Sequence, residues 1–378
     1  MKFDIQRDHL LNGVNDVLKA VSSKTTMPIL TGIKLDASKE GLTLTGSDAD
    51  ITIQVFIPTE KDGEELIHVQ QAGSIVLQAR MFNEIVRKLP TKDVEIEVVE
   101  GYQTRIRSGK SDFHLIGQDA AEYPMTPDVT NDHQFTLAAD LLKQIIRETV
   151  FAVSASESRP VLTGVNWQIK EEGLICVATD SHRLARRRVA LDSLPTNVPS
   201  VAIPGKSLNE LSKVLPDDQT GVDVYLNNQQ VVFKTNDLVF YSRLLEGNYP
   251  DTSRLIPEEY QTNITLNGKE LLQAIDRASL LARSDRNNVV RLSIVNNETI
   301  EISSNSPEIG KVEEQIPVSS FSGDDLRISF SSKFMMDALK AIDGQEVVIQ
   351  FTGAMRPFIL RSVHDDAILQ LILPVRTY

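Results

Sequence analysis

Pro28-Ile29-Leu30-Thr31-Gly32 returns as Pro160-Val161-Leu162-Thr163-Gly164, and Gly41-Leu42 returns as Gly173-Leu174, both after 132 residues. A third copy is fainter, but its helix-spaced apolar positions keep the register. Phe82, Ile85, Val86 and Leu89 correspond to Leu208, Leu211, Ser212 and Leu215, and then to Met335, Ala338, Leu339 and Ile342, at offsets of 126 and 127. Solenoid and propeller units run about 20 to 50 residues, so this step is too long for either. It fits a whole small domain used three times. Joints are expected near Pro127 and Pro250 to Pro257, dividing the chain into domains 1–127, 128–252 and 253–378.

Within each unit the apolar spacing alternates between helical and strand periods. Leu10, Leu11, Val14, Val17, Leu18 and Val21 share one helix face, with Asp8 the expected cap. Leu141, Leu142, Ile145, Ile146, Val150 and Val153 form its second copy, and Leu271, Leu272, Ile275, Ala278 and Ala282 its third. The second helix of each unit is the 82, 208 and 335 series, ending near Pro90, Pro216 and Gly344. Runs such as Asp93 to Val98, Val222 to Leu226 and Val347 to Phe351 read as strands, separated by turn pairs such as Asp62-Gly63 and Asn227-Asn228. The fold class is therefore α+β: three similar domains, each with two helices on one face of a mostly antiparallel sheet.

Composition narrows the function. No apolar run approaches the ~20 residues of a membrane span, and MKFDIQRDHL lacks a signal-peptide core. The one cysteine, Cys176, cannot form an intrachain disulfide, which points to a reducing cytoplasm and no membrane partner. A net charge of -13 argues against a protein that coats nucleic acid with its whole surface. The charges are nonetheless segregated. The six helical segments carry a net +4 against -17 for the rest, which together make the chain's -13. In the second helices Arg80, Glu84 and Arg87 return as Lys206, Glu210 and Lys213, then as Lys333, Asp337 and Lys340. Two cations seven residues apart lie on one face about 10 Å apart, a spacing suited to successive phosphates. A solvated face laced by ion pairs is the alternative.

Catalytic motifs fail. Gly205-Lys206-Ser207 and Gly109-Lys110-Ser111 resemble the end of a phosphate loop, but Ser200 and Thr104 stand where its first glycine belongs. Asp180, Ser181 and His182 are consecutive, and consecutive residues cannot line up as a proton relay. Six histidines and one cysteine show no metal-ligand spacing, so no catalytic residue, metal or cofactor is expected. Thr179-Asp180-Ser181-His182-Arg183-Leu184 reads as a turn after a strand, followed by Arg186-Arg187-Arg188, the densest basic run. Leu369 to Val375 is a nearly continuous apolar run, read as a buried final strand beside a groove able to take a partner's peptide. The residues alone leave open an acidic enzyme with a site in a domain cleft, or a scaffold that never touches DNA.

The whole chain resembles the bacterial sliding clamp family, the β subunits of the replicative DNA polymerase III holoenzyme. The resemblance rests on Met1-Lys2-Phe3, His9-Leu10-Leu11, Pro28-Ile29-Leu30, Thr179-Asp180 with His182-Arg183-Leu184-Ala185, Tyr249-Pro250-Asp251 and Leu373-Pro374-Val375-Arg376. It implies a non-catalytic processivity factor: a head-to-tail homodimer whose six domains close into a ring, with twelve helices around duplex DNA. It also implies a cytoplasmic, nucleoid-associated protein, loaded by an ATP-driven clamp loader, that tethers the polymerase catalytic subunit and other proteins with clamp-binding motifs. Carried over by position, the family's peptide pocket uses Leu162, Thr179, His182, Arg183, Leu184, Pro250, Arg254, Leu255, Met355, Leu371, Ile372, Leu373, Pro374, Val375 and Arg376. Ser181, where glycine is frequent, and Phe334, where side chains vary, belong to the same expected site. Asn287 and the Thr377-Tyr378 tail are further departures. For DNA the resemblance supplies Lys24, Arg159 and Lys206; the repeated helix pairs add Arg80, Arg87, Lys213, Lys333 and Lys340.

Overall fold

Among the described residues six α-helices recur at the spacing of the sequence repeat: α1 (Arg7–Val17), α2 (Ala79–Lys88), α3 (Ala139–Thr149), α4 (Gly205–Val214), α5 (Gly268–Ala282) and α6 (Ser332–Ile342). A computed structural model describes residues 1–126, 134–191, 198–282, 288–344 and 346–376. The expected joint at Pro127, and the departures at Asn287 and Thr377-Tyr378, lie outside the described residues. The cap expected at Asp8 is corrected. The strand Lys2–Gln6 runs straight into α1, so the cap position falls on Gln6, whose side chain makes no capping bond. Asp8 sits instead in the first turn, where a carboxylate still favours the helix dipole, and pairs with Arg7 at 2.9 Å.

The chain divides into two compact units, residues 1–142 with 206–244 and residues 143–205 with 245–378. In the first unit an eight-stranded sheet joins two repeats: Ile51–Pro58 of the first pairs antiparallel with Leu238–Arg243 of the second. A five-stranded sheet runs from Ser111–Ile116 at one edge to Ile67–Gln71 at the other. α1 packs on α2 and on Gly41–Ser47 and Ile51–Pro58, burying Leu10, Val14 and Val17. In the second unit a nine-stranded sheet joins Arg183–Val189 of the second repeat to Ile368–Ile372 of the third. A four-stranded sheet ends at Gly310–Pro317, and α5 with α6 covers a core containing Leu271, Ile275, Phe330, Met335, Phe351 and Phe358.

All described strand pairs are antiparallel, as period-two segments joined by short turns allow. The repeated Gly-Leu pairs mark matching hairpins. Gly41 has φ +153° and Gly173 φ +114°, and a Cβ there would lie 2.1 Å from the Ile57 carbonyl oxygen and 2.2 Å from that of Val189. Only glycine fits. The final strand is shorter than its apolar run suggests. Ile368–Ile372 is buried throughout, whereas Leu373 is 37% exposed, and Pro374, with no N–H to donate, breaks the ladder. The Val375 N–H bonds the Ser329 carbonyl at 2.8 Å, holding the tail beside the sheet.

Candidate peptide-docking groove and basic helix faces

The strand Gly173–Thr179 ends in a turn built on one aspartate. Asp180 Oδ1 accepts from the backbone N–H of His182 (2.9 Å) and Arg183 (3.0 Å), closing an Asx-type loop. Ser181 then adopts φ +76°, a left-handed conformation that explains why glycine suits this position. Thr179 Oγ1 donates to the Arg183 carbonyl at 2.6 Å and accepts from Ser181 N–H, while the Thr179 N–H donates to the Tyr249 hydroxyl at 3.0 Å. Burial pushes the Tyr249 phenol up from its usual range.

Arg183 is a buried strut. Its Nε bonds Asp180 (3.0 Å), Nη1 bonds Asp337 on α6 (2.7 Å) and Nη2 bonds the Phe151 carbonyl (2.5 Å). The guanidinium lies 4.5 Å from the Phe334 ring centroid and 5.3 Å from that of Phe151. His182 is exposed, 6.5 Å from Phe334 between ring centroids, and its carbonyl accepts from Leu373 N–H at 2.9 Å. The turn thus carries the start of the tail, bringing Thr179 to Leu184, Phe334 and Leu371 to Val375 together. Sequence reasoning missed Asp337 and Phe151 as its supports. Asp337 did carry a signal, as the acid of the repeated helix charges, though that pattern points only to neighbours on its own helix.

Leu184 and Leu371 face each other across the sheet in one buried apolar cluster, and Leu162 is buried as well, so none of the three is open to contact. Ile372 alternates to the other face and belongs to the α5/α6 core. The open residues are His182, Pro250, Arg254, Leu255 (51% exposed), Met355 (57%), Leu373 and Arg376. Arg254 and Leu255 border a cleft of about 520 Å³ closed by Tyr260, Thr352, Arg356 and Pro357, beside the turn that carries Met355.

The first repeat builds the same turn. Asp48 Oδ1 accepts from Asp50 and Ile51 N–H (3.0 and 2.8 Å), Ala49 has φ +78°, and Arg243 N–H bonds the Asp50 carbonyl at 2.9 Å. Asp50 therefore stands for His182, Thr52 for Leu184, Tyr241 for Leu371 and Arg243 for Leu373. The scaffold is repeated, but its lining is polar where the second copy is apolar.

The basic residues of the second helices are all exposed. Arg80, Lys206 and Lys333 each occupy the second position of their helix. The expected internal ion pairs are only partly present: Lys213 meets Glu210 at 2.8 Å, but Glu84 pairs with Lys88, Lys206 with Asp48, and Asp337 with Arg183. Among the described residues Arg80, Arg87, Lys333 and Lys340 have no carboxylate within ion-pair distance. Lys24 and Arg159 are exposed in segments preceding the repeated Pro-x-Leu-Thr turns.

Family models of the DNA polymerase III beta subunit match nearly the whole chain: the N-terminal domain over 1–127, the central domain over 136–251 and the C-terminal domain over 253–376. The beta sliding clamp of Bacillus subtilis is 58% identical over 378 residues, covering all of both chains, and that of Staphylococcus aureus is 50% identical over the same span. Among solved structures, the Bacillus subtilis sliding clamp superposes with a TM-score of 0.97, and a Pseudomonas aeruginosa sliding clamp bound to griselimycin with 0.92 at 25% identity, each pair covered in full. The chain belongs to the bacterial beta sliding clamp family, the beta subunits of DNA polymerase III.

Proposed function

We propose that two copies of this chain close head to tail into a ring around duplex DNA, tethering the replicative polymerase as a processivity factor rather than acting as an enzyme. The observation that carries this reading is the recurrence, in register, of an exposed basic pair on the second helix of every repeat. A mildly cationic helical layer on a chain of net charge -13 attracts DNA to one surface while the remainder repels it. Few phosphate contacts make the direct affinity weak and salt-sensitive, so retention comes from closure. Two sheet edges suit closure. Ser111–Ile116, with Phe113 and Ile116 exposed, is the free edge of one sheet, and Gly310–Pro317 that of another. Unlike edges make a heterologous contact, which closes into a ring when the rotation allows.

The three clamp domains are taken as 1–127, 128–252 and 253–378. Lys24, Arg80, Arg87, Arg159, Lys206, Lys213, Lys333 and Lys340 are the DNA-facing set. The polymerase catalytic subunit, the clamp loader and other motif-bearing proteins dock by short peptides over His182, Pro250, Leu255, Met355 and Leu373, on the floor formed by Leu162, Leu184 and Leu371. Griselimycin, which occupies the Pseudomonas aeruginosa clamp, is a peptide probe for this groove. Acting on chromosomal DNA, the protein works in the cytoplasm at the nucleoid. After loading, the protein should stay far longer on nicked circular DNA than on linear DNA of the same length, from whose ends a ring slides off. Equal residence times on the two would overturn the ring.

A further inference from the structure

The strand Arg183–Val189 carries four arginines with two different fates. Arg183 and Arg187 point toward the helices and are matched by carboxylates: Arg183 by Asp180 and Asp337, Arg187 by Asp365 and by Glu148 at 3.3 Å. Arg186 and Arg188 alternate to the opposite face. There Arg186 lies opposite Val177 on one neighbouring strand and buried Leu369 on the other. Beyond Leu369, Leu360 pairs with Gln370, so Arg361, one residue on, also faces Leu369. Arg186 and Arg361 thus flank one leucine from either side, about 10 Å apart at the backbone, a gap that two arginine side chains span. Arg188 stands two residues further along the same face.

The Nε atoms of Arg186 and Arg361 are both shut off from solvent without a hydrogen-bond partner. Among the described residues no carboxylate lies within ion-pair distance of Arg186, Arg188 or Arg361, and the hydroxyl of neighbouring Tyr260 donates to the Pro257 carbonyl at 2.6 Å. Burial, with the nearby charges of Arg188 and Arg361, pushes the Arg186 guanidinium down to about 10, while Glu172 and Tyr260 counter this only weakly. The sheet does not require this arrangement. At the matching places in the first unit Gln54 and Lys234 flank Val239, and Gln54 donates to Thr126 at 3.4 Å.

We propose that Arg186, Arg361 and Arg188 form a binding site for a phosphate-class oxyanion, bridged by the two guanidiniums above Leu369. Guanidinium forks match tetrahedral oxyanions, and the apolar floor of Val177 and Leu369 strengthens the charge-assisted bonds. The oxyanion is either free in solution or a phosphodiester of a nucleic-acid strand. The site lies on the sheet face opposite the one Arg183 and Arg187 occupy and does not depend on ring closure.

The full-length protein is titrated with inorganic pyrophosphate at constant ionic strength and followed by calorimetry. Arg186→Leu and Arg361→Leu should each weaken binding at least tenfold. Arg186→Gln, which places in the second repeat the residue the first already carries there, does the same and serves if the leucine variants fail to fold. Competition by a short oligothymidylate identifies a phosphodiester as the source, and lack of competition a free oxyanion. Equal pyrophosphate affinity in wild type and Arg186→Gln, or no binding by the wild type at millimolar concentrations, overturns the site.

Discussion

Arg183 joins the Asp180 turn, α6 and the backbone at Phe151 through one guanidinium, and it is only 7% exposed. Truncation to alanine leaves the carboxylates of Asp180 and Asp337 without their cation in a half-buried setting, so Arg183→Ala should cost roughly 3 to 5 kcal/mol. It should also release the turn, and chemical denaturation together with clamp-binding peptide affinity checks both effects. Glu148 behaves differently. It is buried beside Arg187, with Gln144 donating to Oε1 at 2.7 Å, and burial raises its carboxyl above the usual range. A raised folded value means that the native state binds the proton more tightly than the unfolded chain. Its contribution is therefore complete below the ordinary carboxylate value and lost as pH rises through the raised one. Glu148→Gln removes that dependence. The melting-temperature advantage of wild type over this variant should grow as pH falls from 7 toward 5, and a constant difference would contradict the assignment.

At the scale of elements, the second helices separate structural from functional charge. Glu210 and Asp48 engage Lys213 and Lys206, so part of the basic pattern in α4 is satisfied within the protein. Lys333 and Lys340 on α6 face solvent without such partners and are the cleaner test. Lys333→Ala with Lys340→Ala should weaken direct DNA binding and reduce the slope of log affinity against log salt by up to about 2. An unchanged slope in a salt titration would return these lysines to a solvated face. The two Asx turns make a related point. They share the paired aspartate bonds to the backbone, yet Arg243 and Asp50 replace Leu373 and His182, so the first copy carries polar groups at those places.

Across the whole molecule, sheets rather than repeats define the compact units, because Ile51–Pro58 and Arg183–Val189 each pair with a strand of the following repeat. This covers edges that would otherwise template aggregation, while Ser111–Ile116 and Gly310–Pro317 are among the edges that stay free. Carboxylates on the first edge should oppose pairing with the second, which carries Glu313 and Glu314. Phe113→Asp with Ile116→Asp is expected to weaken the dimer at least tenfold in sedimentation equilibrium while leaving the monomer's melting curve intact. An unaltered dimer would place the interface elsewhere.

The sequence by itself determined the threefold repeat, the six helices within a few residues, and the repeated Gly-Leu pairs at Gly41 and Gly173. All of these follow from local periodicity and from backbone conformations that one residue type satisfies. It also marked the Thr179 to Leu184 turn, because an aspartate bonding the backbone two and three residues on is a local event. It did not show that Ile372 faces the α5/α6 core while Leu371 packs with Leu184 on the opposite face, since one step along a strand reverses the face and the register depends on a partner 183 to 189 residues into the chain. Nor did it show that Asp337 holds Arg183 across 154 residues. Which edges pair, which charges are consumed inside and which arginines stay unmatched are decided by contacts between distant segments, and only the tertiary structure brings those together.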